Sequence, residues 1–222
     1  MKLSQNLLQI ATRIESEGGK AILIGGAVRD YLFGIENKDI DVEVYGLHFN
    51  QLIAVLKKFG KVSAVGKAFG VLKLSVDGEH FDFSLPRNDI KISSGHRGFQ
   101  IKTDPGMTFK EAASRRDFTI NSIGYDILGR KLLDEFNGRH DLAQRILRVV
   151  DAKTFAEDPL RVLRGIQFAA RFRLTLTDET KEIFKELTPL LDELPKERIY
   201  GELEKLFLKS RYPSVGFQLA DE

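Results

Sequence analysis

The 222-residue chain contains no cysteine, so neither a disulfide framework nor a thiolate metal site is open to it, and a reducing compartment is compatible with that absence. Its four histidines, His48, His80, His96 and His140, are scattered without ligand spacing. No apolar run approaches the roughly 20 residues needed to cross a bilayer. At the N-terminus, Leu3, Leu7, Ile10 and Ile14 recur at helical spacing with polar residues between them, which predicts an amphipathic helix rather than a signal peptide. A cytoplasmic protein with no membrane partner is expected.

What is present is ordinary for a globular protein: 42% hydrophobic and 30% charged residues, in a length that suits one large domain or two small ones. The net charge of +2 is unevenly spread. Residues 87–173 carry 17 Lys+Arg against 11 Asp+Glu, and the remainder carries 17 against 21. A basic middle in a near-neutral chain fits a local surface for phosphates or RNA backbone, and it fits solvated helix faces equally well.

After the first helix, Gly18-Gly19 ends the pattern and residues 21–24 read as a short buried strand running into Gly25-Gly26. A helix over residues 28–33, a strictly alternating strand over 40–45 and an amphipathic helix over 49–59 follow. Residues 61–65, 71–76 and 81–85 read as three further strands, which makes an α/β domain with a mixed sheet. Residues 87–108 show Gly, Ser, Pro and Asp without periodicity and are expected to form a long, movable loop. Beyond Phe109 the pattern is mainly helical, with short strands at 123–127 and 147–149 and helices at 159–173, 178–191 and 196–209. A boundary near residue 150 is expected, giving domains 1–150 and 151–222. A last apolar-periodic stretch at 213–220 stops without a cap, as it would in a naturally short protein or in the front part of a longer one.

Asp39 and Asp41 stand two apart at the start of a strand, so their side chains project from one face of the sheet. Carboxylates held that close repel each other unless a cation lies between them, and hard oxygen ligands suit Mg²⁺, which also recruits phosphate oxygens. Asp82 sits between Phe81 and Phe83 on a later strand, where an unpaired charge is costly, and fits a third ligand. Three such carboxylates would support a two-metal displacement. Taken singly, a D-x-D pair also fits a turn. The preceding Ile24-Gly25-Gly26-Ala27-Val28-Arg29-Asp30 reads as strand, glycine turn and helix start, in which backbone N–H groups approach a triphosphate and Arg29 adds charge.

G-G-x-V-R-D followed by D-x-D resembles the head domain of the DNA polymerase beta superfamily. More narrowly, the chain is similar to class II tRNA nucleotidyltransferases, the CCA-adding enzymes, and to bacterial poly(A) polymerases. The likeness runs from about residue 20 to the C-terminus and includes Arg115-Arg116-Asp117-Phe118-Thr119-Ile120-Asn121-Ser122 and Glu157-Asp158-Pro159-Leu160-Arg161-Val162-Leu163-Arg164. It implies a polymerase-beta-like nucleotidyltransferase head followed by a mainly helical neck. Arg116 offers a fork for phosphate and Asp117 an acceptor for a ribose hydroxyl, a reading the resemblance implies. Asp117 also fits a helix cap.

Asp158, Arg161 and Arg164 recur at three-residue spacing and so share one helix face. A carboxylate accepting from an exocyclic amino group, and a guanidinium donating to an unprotonated ring nitrogen, would accept cytosine and adenine and reject uracil and guanine. The resemblance implies that CTP and ATP are selected in this way. Asp158-Pro159 is equally a helix-capping signature. Gln167 stands where relatives often carry another arginine. Charges over 194–206 read as an exposed pairing network with a structural role, Arg198 being a further candidate for contact with RNA or a neighbouring helix.

The resemblance thus implies CCA addition to tRNA by Mg²⁺-dependent phosphoryl transfer. Poly(A) polymerase activity is the alternative, and partial CC-adding or A-adding activity a third. Ala68 breaks the basic pair expected of the poly(A) enzymes and Lys73 replaces a neutral residue, which favours tRNA. A loop holding His96 and Arg97 favours more than CC addition. An inactive nucleotide- or RNA-binding module is the non-enzyme alternative.

Overall fold

The structure, a computed structural model, describes residues 1–37, 39–65, 70–91 and 99–221. The backbone divides into two compact units, residues 1–113 with 123–135, and residues 114–122 with 136–222. The second unit takes in residues on both sides of position 150. Among the described residues no helix is long and apolar enough to cross a membrane.

The first unit opens with α1 (Gln5–Ser16), whose N-cap Ser4 accepts a hydrogen bond from the Leu7 N–H and which buries Leu7, Ile10, Ala11 and Ile14. The sheet runs in the order β3 (Lys61–Val65), β4 (Val71–Val76), β5 (Glu79–Ser84), β2 (Ile40–Tyr45), β1 (Lys20–Leu23), β8 (Gly124–Asp126), β9 (Lys131–Leu133). β2 and β5 are parallel and the other pairs antiparallel, which is the expected mixed sheet.

Strand alternation assigns the two faces different work. Leu23, Val42, Val44, Leu72, Leu74, Phe81 and Phe83 form one core with α1 and with Leu52, Val55 and Leu56 of α3 (Phe49–Leu56). The opposite face carries Lys73, Asp82, Asp41 and Glu43, and is covered in part where Ile22 and Tyr45 meet Met107 and, on α4 (Phe109–Ser114), Ala112.

One expectation fails. Residues 87–108 are not a structureless loop, because β6 (Arg87–Lys91) and β7 (Phe99–Thr103) pair antiparallel in a separate two-stranded sheet. Ile90 in the first strand and the alternating Phe99 and Ile101 in the second carry the strand signal, which the neighbouring Gly and Ser hid in the sequence. The stretches holding Lys67 and Ala68, and His96 and Arg97, lie outside the described residues.

The second unit is built around aromatic rings. Phe118 packs edge-on against Phe155 and Phe168, with centroids 5.4 and 6.0 Å away, and Phe155 stacks on Phe184 at 5.9 Å. Its helices are α5 (Gly138–Ala143), α6 (Ala152–Phe155), α7 (Leu160–Phe172), α8 (Asp178–Leu187), α9 (Lys196–Lys209) and α10 (Pro213–Asp221), with β10 (Ile146–Leu147) and β11 (Thr175–Leu176) paired in parallel. The expected helix at 178–191 ends at Leu187 and tightens into a 3-10 turn, Thr188–Glu193, where Pro189 cannot donate to an α-helical bond. A bridge between Phe118 and Val149, flanked by Thr119 N–H to Arg148 O and Val150 N–H to Asp117 O, fixes the segment that carries Asp117.

Candidate active site

In the first unit, β1 passes into α2 (Gly26–Leu32) through Gly25, whose φ of 64° and ψ of −133° belong to glycine. Behind the turn, Arg29 and Asp30 are both buried. Arg29 Nε and Nη2 donate to Asp30 Oδ1 at 2.8 and 2.6 Å, so this guanidinium is drawn into the protein rather than presented as exposed charge. A buried carboxylate requires such a partner, and Arg29 supplies one. Asp30 Oδ2 accepts from Asn37 Nδ2 at 2.8 Å, and Asn37 Oδ1 accepts from the Asp39 N–H at 2.8 Å.

Asp39 is exposed and lies one residue ahead of β2, while Asp41 is half-buried within it. Across the parallel pairing Asp41 is the register partner of Asp82, and across the next antiparallel pairing Asp82 is the register partner of Lys73. Lys73 Nζ sits 3.2 Å from Asp82 Oδ2. A row of cation, carboxylate and carboxylate therefore crosses three strands on one face. Two residues along β2, Glu43 is buried and accepts the Tyr45 hydroxyl.

Among the described residues no group of three or more His, Cys, Asp or Glu side chains gathers closely enough to hold a metal by itself. The donors in register here are the hard carboxylate oxygens of Asp41 and Asp82. That suits Mg²⁺, which is commonly held by one or two carboxylates and completes its shell with water and substrate phosphate.

In the second unit, the R-R-D segment, the start of α7 and α9 are bonded together. Asp117 is buried and fully engaged: Oδ1 accepts from the Phe118 N–H (2.8 Å) and Asn121 Nδ2 (2.9 Å), and Oδ2 from Arg164 Nε (2.9 Å) and Nη2 (2.8 Å). Burial alone would raise the Asp117 pKa. The Arg164 charge and the bonds from Asn121, Arg164 and Phe118 outweigh it and hold the carboxyl below its usual value. In return Asp117 raises the pKa of Arg164.

Arg161 gives Nη1 to Thr154 O at 2.7 Å and Nη2 to Arg115 O at 3.1 Å, and its burial lowers its pKa. Asp158 stands one residue ahead of Pro159, the N-cap of α7; its Oδ1 accepts from the Leu160 N–H at 3.2 Å, and Oδ2 accepts from Arg198 Nη2 at 2.7 Å. Arg116 is half-buried near Ser122 O.

The sequence reading missed the burial of Glu202, which was expected in an exposed network on α9 and instead lies buried with Lys205 Nζ 2.7 Å from its Oε1. Arg198, the candidate there for contact with RNA or a neighbouring helix, reaches Asp158. Helical spacing shows pairing within a helix and is silent about a partner on another. Asn37, whose Oδ1 accepts the Asp39 N–H, belongs to no motif, and Asn121, although inside the R-R-D-F-T-I-N-S segment, was given no role, while its Nδ2 donates to Asp117. Gln167 is buried, and its Nε2 has no hydrogen-bond partner among the described residues.

Two family models match the chain: "Poly A polymerase head domain" over residues 21–148, and "Probable RNA and SrmB-binding site of polymerase A" over residues 173–222. The chain is 39% identical over 189 residues to the multifunctional CCA protein of Herminiimonas arsenicoxydans, covering 84% of this chain and 44% of that protein. It is 40% identical over 197 residues to the multifunctional CCA protein of Stenotrophomonas maltophilia, covering 86% and 47%. Among solved structures, the Bacillus stearothermophilus CCA-adding enzyme in complex with CTP superimposes with a TM-score of 0.81 at 28% identity, over 97% of this chain and 51% of that one. The chain thus spans about half the length of the curated relatives it matches.

Proposed function

The chain belongs to the family of the poly(A) polymerase head domain, and from that premise we propose that it is a template-independent RNA nucleotidyltransferase that adds C, C and A from CTP and ATP to the 3′ end of tRNA. The observation that carries the reading is the in-register pairing of Asp41 with Asp82 on adjacent parallel strands, beside Asp39 and the glycine turn. The names of the relatives support the substrates. Residues 1–150 act as the head and 151–222 as the neck in this reading, and the match over 21–148 supports the first limit.

Asp39 and Asp41 hold Mg²⁺, and Asp82 assists. When bound, the metal supplies charge neutralisation at the phosphoryl oxygens and acidifies the attacking 3′ hydroxyl. The Gly25-Gly26 turn lets the triphosphate approach the backbone, and Arg116 supplies positive charge to it. Arg29 contributes through Asp30, its buried partner.

Asp158, Arg161 and Arg164 select the base: the carboxylate accepts from its exocyclic amino group and a guanidinium donates to its ring nitrogen. The internal bonds of these groups are compatible with that task. A guanidinium carries five N–H donors and a carboxylate about four acceptor sites. Two bonds from Arg164 to Asp117 fix the guanidinium plane and leave capacity for a base.

The test offers CTP, ATP, UTP and GTP, separately and together, to tRNAs ending before CCA or after CC and to a generic oligonucleotide. Addition that requires Mg²⁺ and stops after CCA supports the proposal. No incorporation by the parent chain, or full incorporation by Asp39→Ala and Asp41→Ala, refutes it. A long A tail on any RNA favours a poly(A) polymerase, the reading that the name of the matched family model supports.

A further inference from the structure

We propose that Asn37 is a positioning residue for Asp39, coupling the glycine turn to the carboxylate that binds the metal; this rests on the reading of Asp39 as a metal ligand. Asp39 is exposed and stands one residue ahead of β2. Its N–H is held by the Asn37 side chain, whose Oδ1 accepts it at 2.8 Å.

The other end of the same amide is anchored as well. Nδ2 donates at 2.8 Å to Oδ2 of Asp30, a carboxylate only 2% exposed and fixed through Oδ1 by Arg29. A carboxylate only accepts and a backbone N–H only donates, so the amide orientation is determined, and asparagine supplies both functions in one short side chain. The turn is shaped around it, since a Cβ on Gly26 would come 3.3 Å from Asn37 Nδ2. The path from Arg29 through Asp30 and Asn37 to Asp39 therefore ties the start of α2 to the segment entering β2.

Asn37 touches neither metal nor substrate in this arrangement. Its effect is on where the Asp39 carboxylate stands, and groups that orient a metal ligand commonly change metal affinity about 10-fold or more when lost. Replacement by alanine frees the Asp39 backbone and removes a donor from Asp30. Replacement by aspartate keeps the size and sets a second carboxylate against Asp30, which is the more damaging change.

The experiment measures Mn²⁺ binding by electron paramagnetic resonance, with a non-hydrolysable CTP analogue present, for the parent chain and for Asn37→Ala, Asn37→Asp and Asp39→Asn. Thermal unfolding and the Mg²⁺ dependence of CMP addition are followed in parallel. Asn37→Ala is expected to weaken Mn²⁺ binding about 10-fold and to raise the half-saturating Mg²⁺ likewise, with the KM for CTP within about twofold and a fall in Tm of about 2–4 °C. Asn37→Asp is expected to weaken binding further. If Asp39→Asn loses Mn²⁺ binding while both Asn37 variants bind within twofold of the parent, Asn37 is only structural and the proposal falls. If Asp39→Asn itself binds Mn²⁺ as the parent does, the metal-ligand reading fails and takes the proposal with it. Should Asn37→Ala not fold, Asn37→Asp decides by the same measurements.

Discussion

Asp117→Ala removes one acceptor group from four donors at once: the Phe118 N–H, Asn121 Nδ2, and Nε and Nη2 of Arg164. Bonds to a charged group contribute about 1.5–3 kcal/mol each without adding, and deleting one partner of a buried ion pair costs about 3–5 kcal/mol. The Arg164 side chain is 36% exposed and recovers part of its hydration, which lowers the expected cost to about 2–4 kcal/mol. At about 2–4 °C per kcal/mol for a chain of this size, Tm falls by about 4–16 °C.

A double-mutant cycle with Arg164→Ala, read by thermal unfolding, should return a coupling of about 2 kcal/mol. The pH dependence has a definite sign. The folded pKa of Asp117 lies below its unfolded value, so its stabilisation is complete above the unfolded pKa of about 3.9 and is lost as pH falls through the lower folded value. The gap between parent and Asp117→Ala should stay constant from about pH 5 to 8 and narrow below about pH 4. A coupling under about 0.5 kcal/mol, or a gap that widens on acidification, refutes the view that Asp117 anchors Arg164.

Three further outcomes are expected. Gly25→Ala forces φ 64°, ψ −133° on a residue with a Cβ, although nothing lies within 4 Å of that carbon; the cost is backbone strain of about 1–3 kcal/mol, seen as lower stability and a raised KM for nucleotide, and an unchanged KM would show that the turn does not meet the triphosphate. Gly165→Ala would set a Cβ 2.3 Å from Phe184 Cζ and 2.8 Å from Phe118 Cζ, and overpacking of about 1–3 kcal/mol should lower the unfolding temperature, whereas an unchanged value would contradict the ring packing. Lys73→Gln removes a cation 3.2 Å from Asp82 in a pair that is 51% and 35% exposed, so stability should change by less than about 1 kcal/mol. Mn²⁺ binding should tighten about 2–5-fold, the worth of about 1 kcal/mol for charges near 4 Å in water, and unchanged binding would place Asp82 away from the metal.

Where local pattern and burial agree, the sequence is a sufficient guide. Alternation through Ile40, Val42 and Val44 bounds β2, and in α1 the helically spaced Leu7, Ile10 and Ile14 are the residues that are buried. The segment around Phe118 shows where pattern stops. It lies between stretches of the first unit, yet its ring packs among Phe155, Phe168 and Phe184 of the second. Nothing local to R-R-D-F-T-I-N-S says which core a phenylalanine will join, because that choice is made by residues tens of positions away.

The same limit governs the candidate site. The carboxylates and arginines were legible because their spacing is local, but their partners were not. Asp158 is bonded to Arg198 and Asp117 to Arg164, at sequence separations of 40 and 47. Those partners change the chemistry. A guanidinium held by a buried carboxylate pays little orientational entropy when a base arrives, and it presents donors whose direction is set before binding. Arg161, tied by two backbone carbonyls, is fixed by a different route to the same end. Discrimination between an amino group and a carbonyl on the base depends on such rigidity, since a mobile arginine could turn to satisfy either a ring nitrogen or an oxygen. On the proposed reading, selectivity would reside as much in Asp117, Thr154, Arg115 and Arg198, which hold Arg164, Arg161 and Asp158 in place, as in the three residues that would face the base.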